Sequence, residues 1–268
     1  MLEALSGIVT LALLVLSVVI GLRLLRMARW NSGRPEAWLG LYFLIYSALA
    51  TSLSVGTYLG WSSAQIALSD GLVRSINAAF FFTSTVGLAC LLIFTQRTFR
   101  PDSQGARVAV WGTTGVLAGS AIALGLTEGF EIRVLNGPPY WICFAARIAC
   151  WVWVAAESFA YWAKLRRRLE LGLADPVVAN RFLLWGVWGS LMTLMAFSDP
   201  LARLWYVHLS GTTTAWVPMI GRPIIQVVVP LSCFLNISFV AILILTFFPT
   251  PGYRRWVQAR APKLIVPG

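Results

Sequence analysis

Charge is scarce in this chain. Charged residues fill 12% of its 268 positions, against about 25% in ordinary soluble domains. Acids number ten against 21 Lys and Arg, and Lys164 and Lys263 are the only lysines. His208 is the single histidine, which excludes a His pair for metal or haem within one chain. The four cysteines, Cys90, Cys143, Cys150 and Cys233, show no CxxC or Cys/His spacing. Structural zinc is therefore not expected, and all four read as small, polarisable core residues. GxSxG, HExxH and Walker A patterns are missing, as are an acid pair inside an apolar run and a Gly-rich phosphate cradle. The expectation is a protein that is not an enzyme, with no catalytic residue, no metal and no cofactor.

What the chain has in abundance is apolar sequence, 58% of the whole. A soluble fold of this length could not bury so much apolar surface, whereas a bilayer removes the need to. Seven apolar runs can be marked, near 5–25, 37–60, 75–96, 107–126, 140–163, 178–198 and 223–248. Each is long enough for a helix to cross hydrocarbon about 30 Å thick. The start, Met1-Leu2-Glu3, lacks the basic region of a signal peptide, and the first apolar run is too long for one. That run is expected to stay as a span. The fold class is thus all-α: a polytopic, seven-transmembrane-helix bundle forming one domain over 1–250, with a short basic cytoplasmic tail over 251–268.

The basic residues are placed unevenly. Sixteen fall in alternate linkers and the tail: Arg23, Arg26, Arg29 and Arg34; Arg97, Arg100 and Arg107; Lys164, Arg166, Arg167, Arg168 and Arg181; Arg254, Arg255, Arg260 and Lys263. The other linkers hold four, Arg74, Arg133, Arg203 and Arg222, beside Asp70, Glu128, Glu131 and Asp199. Cytoplasmic loops are enriched in Lys and Arg, so this alternation puts the N-terminus outside and the C-terminus in the cytoplasm. The expected location is the plasma (inner) membrane. The net charge of +11 is then a matter of topology and anionic headgroups, and no nucleic-acid partner is expected.

Linker chemistry agrees with tight helical hairpins. Arg34-Pro35-Glu36, Arg100-Pro101-Asp102 and Asp175-Pro176 put Pro and an acid near helix starts. Asp175 reads as an N-cap with Pro176 at the first helical position. Trp30, Trp38, Trp162 and Trp256 fall near the inner interface, and Trp61, Trp141, Trp205 and Trp216 near the outer one, as aromatic belts. The longest connection, 199–222, repeats Leu201, Leu204, Trp205, His208 and Leu209 at helical spacing. It reads as a short amphipathic helix along the outer interface, serving as a lid or as a filler between spans.

The stretch from Tyr140 to Arg181 organises the chain. Arg147 and Glu157 interrupt its apolar run, and a charge inside a bilayer costs roughly 2.5–3.5 kcal/mol on insertion scales. Ten residues separate them, about 15 Å along a helix and roughly 80° around it, so they cannot pair directly. Two readings stand. In one, Arg147 meets an anionic ligand and Glu157 takes part in proton or cation exchange. In the other, Arg147 snorkels or bonds Asp199 or Glu131, and Glu157 is neutral or hydrogen-bonded helix glue. Trp151 and Trp153 lie at mid-membrane depth. In the seventh run Pro230 leaves the Gln226 carbonyl without its helical donor and should act as a hinge. Ser232 and Asn236 lie four apart just beyond it. Asn77, Thr83 and Thr85 add polar groups in the third run. The ligand-binding candidates are therefore Arg147, Glu157, Trp151, Asn77, Gln226 and Asn236, although packing accounts for the polar ones equally well.

Seven spans with the N-terminus outside resembles the topology of rhodopsins and G-protein-coupled receptors, an analogy of architecture alone. Covalent retinal needs a lysine in the seventh span; there is none, so that cofactor is excluded. No Asp-Arg-Tyr follows the third run. The segment Leu-Gly-Leu-Ala-Asp-Pro-Val-Val-Ala-Asn-Arg-Phe-Leu-Leu-Trp-Gly, 171–186, resembles one in uncharacterised prokaryotic seven-span membrane proteins. It implies no activity and no site residues. Expected partners are the lipid bilayer, a small or lipidic ligand and a separate cytoplasmic protein. The leading expectation is a receptor-like sensor. A transporter or channel using Arg147, Glu157 and the kinked seventh span is the alternative, followed by a scaffold subunit of a membrane complex.

Overall fold

A computed structural model describes residues 2–31, 34–55, 69–131, 136–210 and 222–260, and these residues are helical throughout apart from their connections. Helix α1 is Leu2–Asn31. Helix α2 begins as an α-helix over Arg34–Tyr42, widens to a π-helix over Phe43–Ala50 and continues to Val55. Then follow α3 (Asp70–Phe99), α4 (Gln104–Glu128), α5 (Pro138–Glu170), α6 (Pro176–Ser210), α7 (Arg222–Phe247) and α8 (Pro251–Ala259). Six stretches are long and apolar enough to cross a membrane: Leu5–Trp30, Pro35–Val55, Asp70–Phe99, Gln104–Glu128, Pro138–Glu170 and Pro176–Ser198. Leu231–Phe247 makes a seventh if it is taken together with Pro251–Ala259, which is bent from it by 82°.

Polar caps and prolines set the helix starts. The Ser69 and Ser103 hydroxyls accept from the amides of Leu72 and Ala106. Asp175 Oδ1 accepts from the Val177 amide at 2.7 Å, with Pro176 first in the helix, as its sequence predicts. Helix α4 ends on Gly129 in the left-handed region, φ +59, where a side chain would be strained.

The spans close into a ring. Helix α1 packs on α2, α2 on α3, α3 on α5, α5 on α6, α6 on α7, and α7 back on α1, while α4 packs on α3 and α5. In lipid there is little hydrophobic force between helices, so close approach depends on small residues. At Gly21 an added Cβ would sit 2.7 Å from Leu44 Cγ and 3.0 Å from the Gly40 carbonyl oxygen, so α1 and α2 nearly touch at this end. At Gly87 it would sit 2.6 Å from Tyr46 Cβ, which brings α3 onto the π-helical backbone. The outer flanks stay apolar: Ile8, Val108, Trp111 and Leu126 are all exposed. An exposed apolar surface of that extent is what lipid requires, and the architecture is that of a multi-pass membrane protein.

Two expectations change. The 199–210 segment is no separate interfacial helix; α6 runs on through Pro200 to Ser210. A proline removes only its own N–H from the ladder, here the bond to the Ala196 carbonyl, and the helix carries on past it. The 251–268 stretch is not simply a tail, because Pro251–Ala259 is helical, capped by the Thr250 hydroxyl on the Tyr253 amide at 3.3 Å. Helix α8 docks on α6: Val257 is buried, and the Asn180 amide donates to the Tyr253 hydroxyl. A sharp bend of 82° follows Phe247, apart from the hinge expected at Pro230. Pro230 and Gln226 lie within the α7 backbone, and their side chains lie outside the described residues, as do Trp61 and Trp216.

Candidate functional site

A cavity of about 1030 Å³ opens among the described residues. Ser6, Gly7, Thr10 and Leu14 of α1 line it, with Ser47, Thr51 and Ser54 of α2, Met192, Met195 and Ala196 of α6, and Ser232 and Asn236 of α7. Because α2 runs antiparallel to α1, the C-terminal end of α2 lies beside the N-terminal end of α1. The cavity therefore occupies the end of the bundle that carries the N-terminus. Helices α1 and α2 meet at Gly21 and Gly40 near the opposite end, which leaves room between them here.

Aromatic rings form the floor. Tyr42, Phe43, Trp151, Trp188 and Phe239 all border the cavity, and each is almost fully buried. Trp151 meets Tyr42 at 6.0 Å, Tyr46 at 5.4 Å and Trp188 at 5.4 Å, all edge-on. Edge-to-face rings at such separations add to the burial energy. Below them Trp185, Phe43 and Phe247 close the interior. Among the described residues the buried Tyr42 hydroxyl has no hydrogen bond of normal geometry, and Ser47, farther up the same wall, is its polar neighbour.

The π-helix forms one wall. Phe43, Tyr46, Ser47 and Ala50 all border the cavity. Its wider turns are uncommon and recur at functional sites. Nothing in Phe43-Leu-Ile-Tyr-Ser-Ala-Leu-Ala announces it, since no proline or glycine interrupts the run.

The structure brings two of the sequence candidates, Trp151 and Asn236, together at the cavity. Arg147 stands behind the wall. Its Nη2 donates to Ser84 Oγ at 2.6 Å, and its guanidinium lies over Phe80 and Phe81 at 5.0 and 4.9 Å. Phe80 borders the cavity. Among the described residues no carboxylate pairs with Arg147, and its Nε is buried without a partner. Glu131, the acid suggested for it, pairs instead with Arg74, and the Asp199 side chain lies outside the described residues. Glu157 is not stranded in the interior: Arg100 Nε reaches it at 2.7 Å from the α3–α4 connection, and Trp153 Nε1 donates to it at 3.1 Å. Asn77 donates to the Phe130 carbonyl at 3.1 Å. Phe130 has a positive φ of 59, and Glu128 braces the same turn by accepting from the Asn136 side chain and the Gly137 amide.

Sequence reading missed Tyr42, Tyr46 and the hydroxyls of α1 and α2. The available signal was spacing: Ser6 and Thr10, Ser47 and Thr51, and Ser232 and Asn236 are each four apart, one helical face per pair. No protein family, curated protein or solved structure matches this chain.

Proposed function

We propose that this protein is a receptor-like sensor in the plasma membrane that holds a small or lipidic ligand in the cavity and signals to a separate cytoplasmic protein. In this reading the chain crosses seven times, with the N-terminus outside and the basic end, including α8, in the cytoplasm. The observation that carries the reading is the cavity itself. Its volume of about 1030 Å³ lies at the upper end of ligand sites, and its mostly apolar, partly aromatic wall with a few polar groups is of the usual kind. The ring of helices around it offers a route for a shape change from the ligand to the opposite end.

The transporter alternative has less support. Its two charged stepping stones do not border the cavity, and Glu157 is held by Arg100. The scaffold alternative draws on the same partnered charges but not on so large a void.

Gently extracted protein should carry a lipid-sized mass in native mass spectrometry. Ala196→Phe, which puts a ring into the cavity, should remove that mass while the thermal transition stays within a few degrees. A wild-type protein that arrives empty, and stays empty when offered membrane extracts, would sink the proposal.

A further inference from the structure

We infer that the ligand is an uncharged single-chain amphiphile, held with its apolar end on the aromatic floor and its polar end among hydroxyls at the mouth. This rests on the binding reading above and names the chemical class that the site would take.

The first observation is charge. Among the described residues that border the cavity none is ionisable at neutral pH, and the Arg147 guanidinium, packed over Phe80 and Phe81, does not border it. An ionised head group entering here would lose its water with no counter-ion in contact, which is strongly unfavourable. The second is the state of the polar groups. Many hydroxyls of the bundle are tied to carbonyls of their own helix: Ser17 to Leu13 at 2.7 Å, Thr95 to Leu91 at 2.8 Å, Ser158 to Val154 at 2.7 Å and, on the cavity wall itself, Thr51 to Tyr46 at 3.3 Å. Such bonds satisfy a hydroxyl in an apolar setting. On the cavity wall Ser6, Thr10, Ser54 and the Asn236 amide make no hydrogen bond to any described residue. Asn236 is only 8% exposed and borders the cavity, so a ligand that covers its amide without matching it is disfavoured. A hydroxyl- or ester-bearing head supplies the missing partners.

The third is their order in depth. Ser6 and Ser54 lie at the helix ends around the mouth. Asn236 lies farther in, and Trp188, Phe239 and Leu243 lie at the bottom. Polarity thus falls from mouth to floor, which orients a molecule polar at one end. A long hydrocarbon without a head would leave the hydroxyls unmatched, and an anion would be penalised throughout.

The test uses purified full-length protein in neutral-lipid nanodiscs and three probes with one chain length: 1-monooleoylglycerol, oleyl sulfate and 1-octadecene. Binding is read by native mass spectrometry and by quenching of tryptophan fluorescence with brominated versions. Monooleoylglycerol should bind at least about tenfold more tightly than either of the others. Asn236→Leu should cut its lead over octadecene about tenfold, the scale of one or two hydrogen bonds, without weakening octadecene. The three-probe comparison in wild-type protein needs no variant to fold. Preference for oleyl sulfate would overturn the inference and make Arg147 the counter-ion, leaving the sensor reading in place. Equal binding of octadecene and monooleoylglycerol would overturn the polar-mouth argument alone. Binding of none of the three, in protein that also retains no lipid on extraction, would overturn both.

Discussion

At Gly87 an added Cβ would meet Tyr46 Cβ at 2.6 Å and the Tyr46 amide nitrogen at 2.9 Å. Overpacking of this kind is unfavourable by about 1–3 kcal/mol, so Gly87→Ala should lower the thermal transition and widen the cavity wall that Tyr46 forms. At Gly112, by contrast, nothing lies within 4 Å. Gly112→Ala should therefore stabilise by up to about 1 kcal/mol through helix propensity alone. Equal melting shifts for the two variants would refute this packing. Arg147 gives a second prediction. Its charge has no ion-pair partner among the described residues, and Ser84 can fall back on the Phe81 carbonyl at 3.0 Å. Arg147→Met should thus leave the fold intact within about 1 kcal/mol, because apolar replacement of a poorly compensated buried charge is often neutral or stabilising. A loss of folded protein on extraction would contradict it. Glu157 differs, since its partner Arg100 is half exposed and screened by water. A double-mutant cycle with Glu157→Gln and Arg100→Ala should give coupling below about 1 kcal/mol.

Among the elements, the spans were legible because crossing hydrocarbon demands an apolar stretch that sequence cannot conceal. Each marked run overlaps an observed helix wherever both are described, although α5 and α6 continue past theirs to Glu170 and Ser210, and Asp175-Pro176 fixed a helix start outright. The π-helix was not legible. It arises where the α2 backbone is pressed onto Gly87, a tertiary cause with no local signature. A π segment absorbs an extra residue, so deleting Leu49, which faces outward, should be tolerated better than deleting Leu91 from the middle of α3. Expression and melting of the two deletions decide it. Helix α8 was read only as a basic tail, since nine residues with two arginines look like any charged segment until Val257 and Tyr253 are seen against α6. Burial raises the Tyr253 hydroxyl above its ordinary 10.0, with Asn180 and Arg181 opposing. A raised acid favours the neutral form, so its contribution to docking is complete below pH 10 and fades as pH climbs beyond it. Trp256 fluorescence should therefore be flat from pH 6 to 9 in wild type and Tyr253→Phe alike, and diverge only above pH 10.

For the whole molecule, the lopsided arginines foretold one basic end, and the contacts agree. Arg23 donates to the Phe247 carbonyl at 3.4 Å, Arg97 lies over Trp38 at 5.5 Å, and Arg100 meets Glu157, all at that end. What sequence could not supply was the void, because a cavity is the space that six helices leave between them and belongs to no residue. Trp151 and Asn236 were named as candidates for their depth and polarity, while the pocket they share had to be seen. The proposed orientation makes a direct prediction: a fluorescent protein fused after residue 268 should light up inside the cell, and alkaline phosphatase inserted within 211–221 should be active outside it. The reverse pattern would end the proposed orientation.

The α7–α1 seam has a consequence for biosynthesis. Helix α1 is seated against α7, so its flank on that side stays unclaimed until Arg222–Phe247 has been translated. Nascent chains arrested before residue 222 should accordingly be recognised as unfinished and degraded, although most of their length has already been inserted.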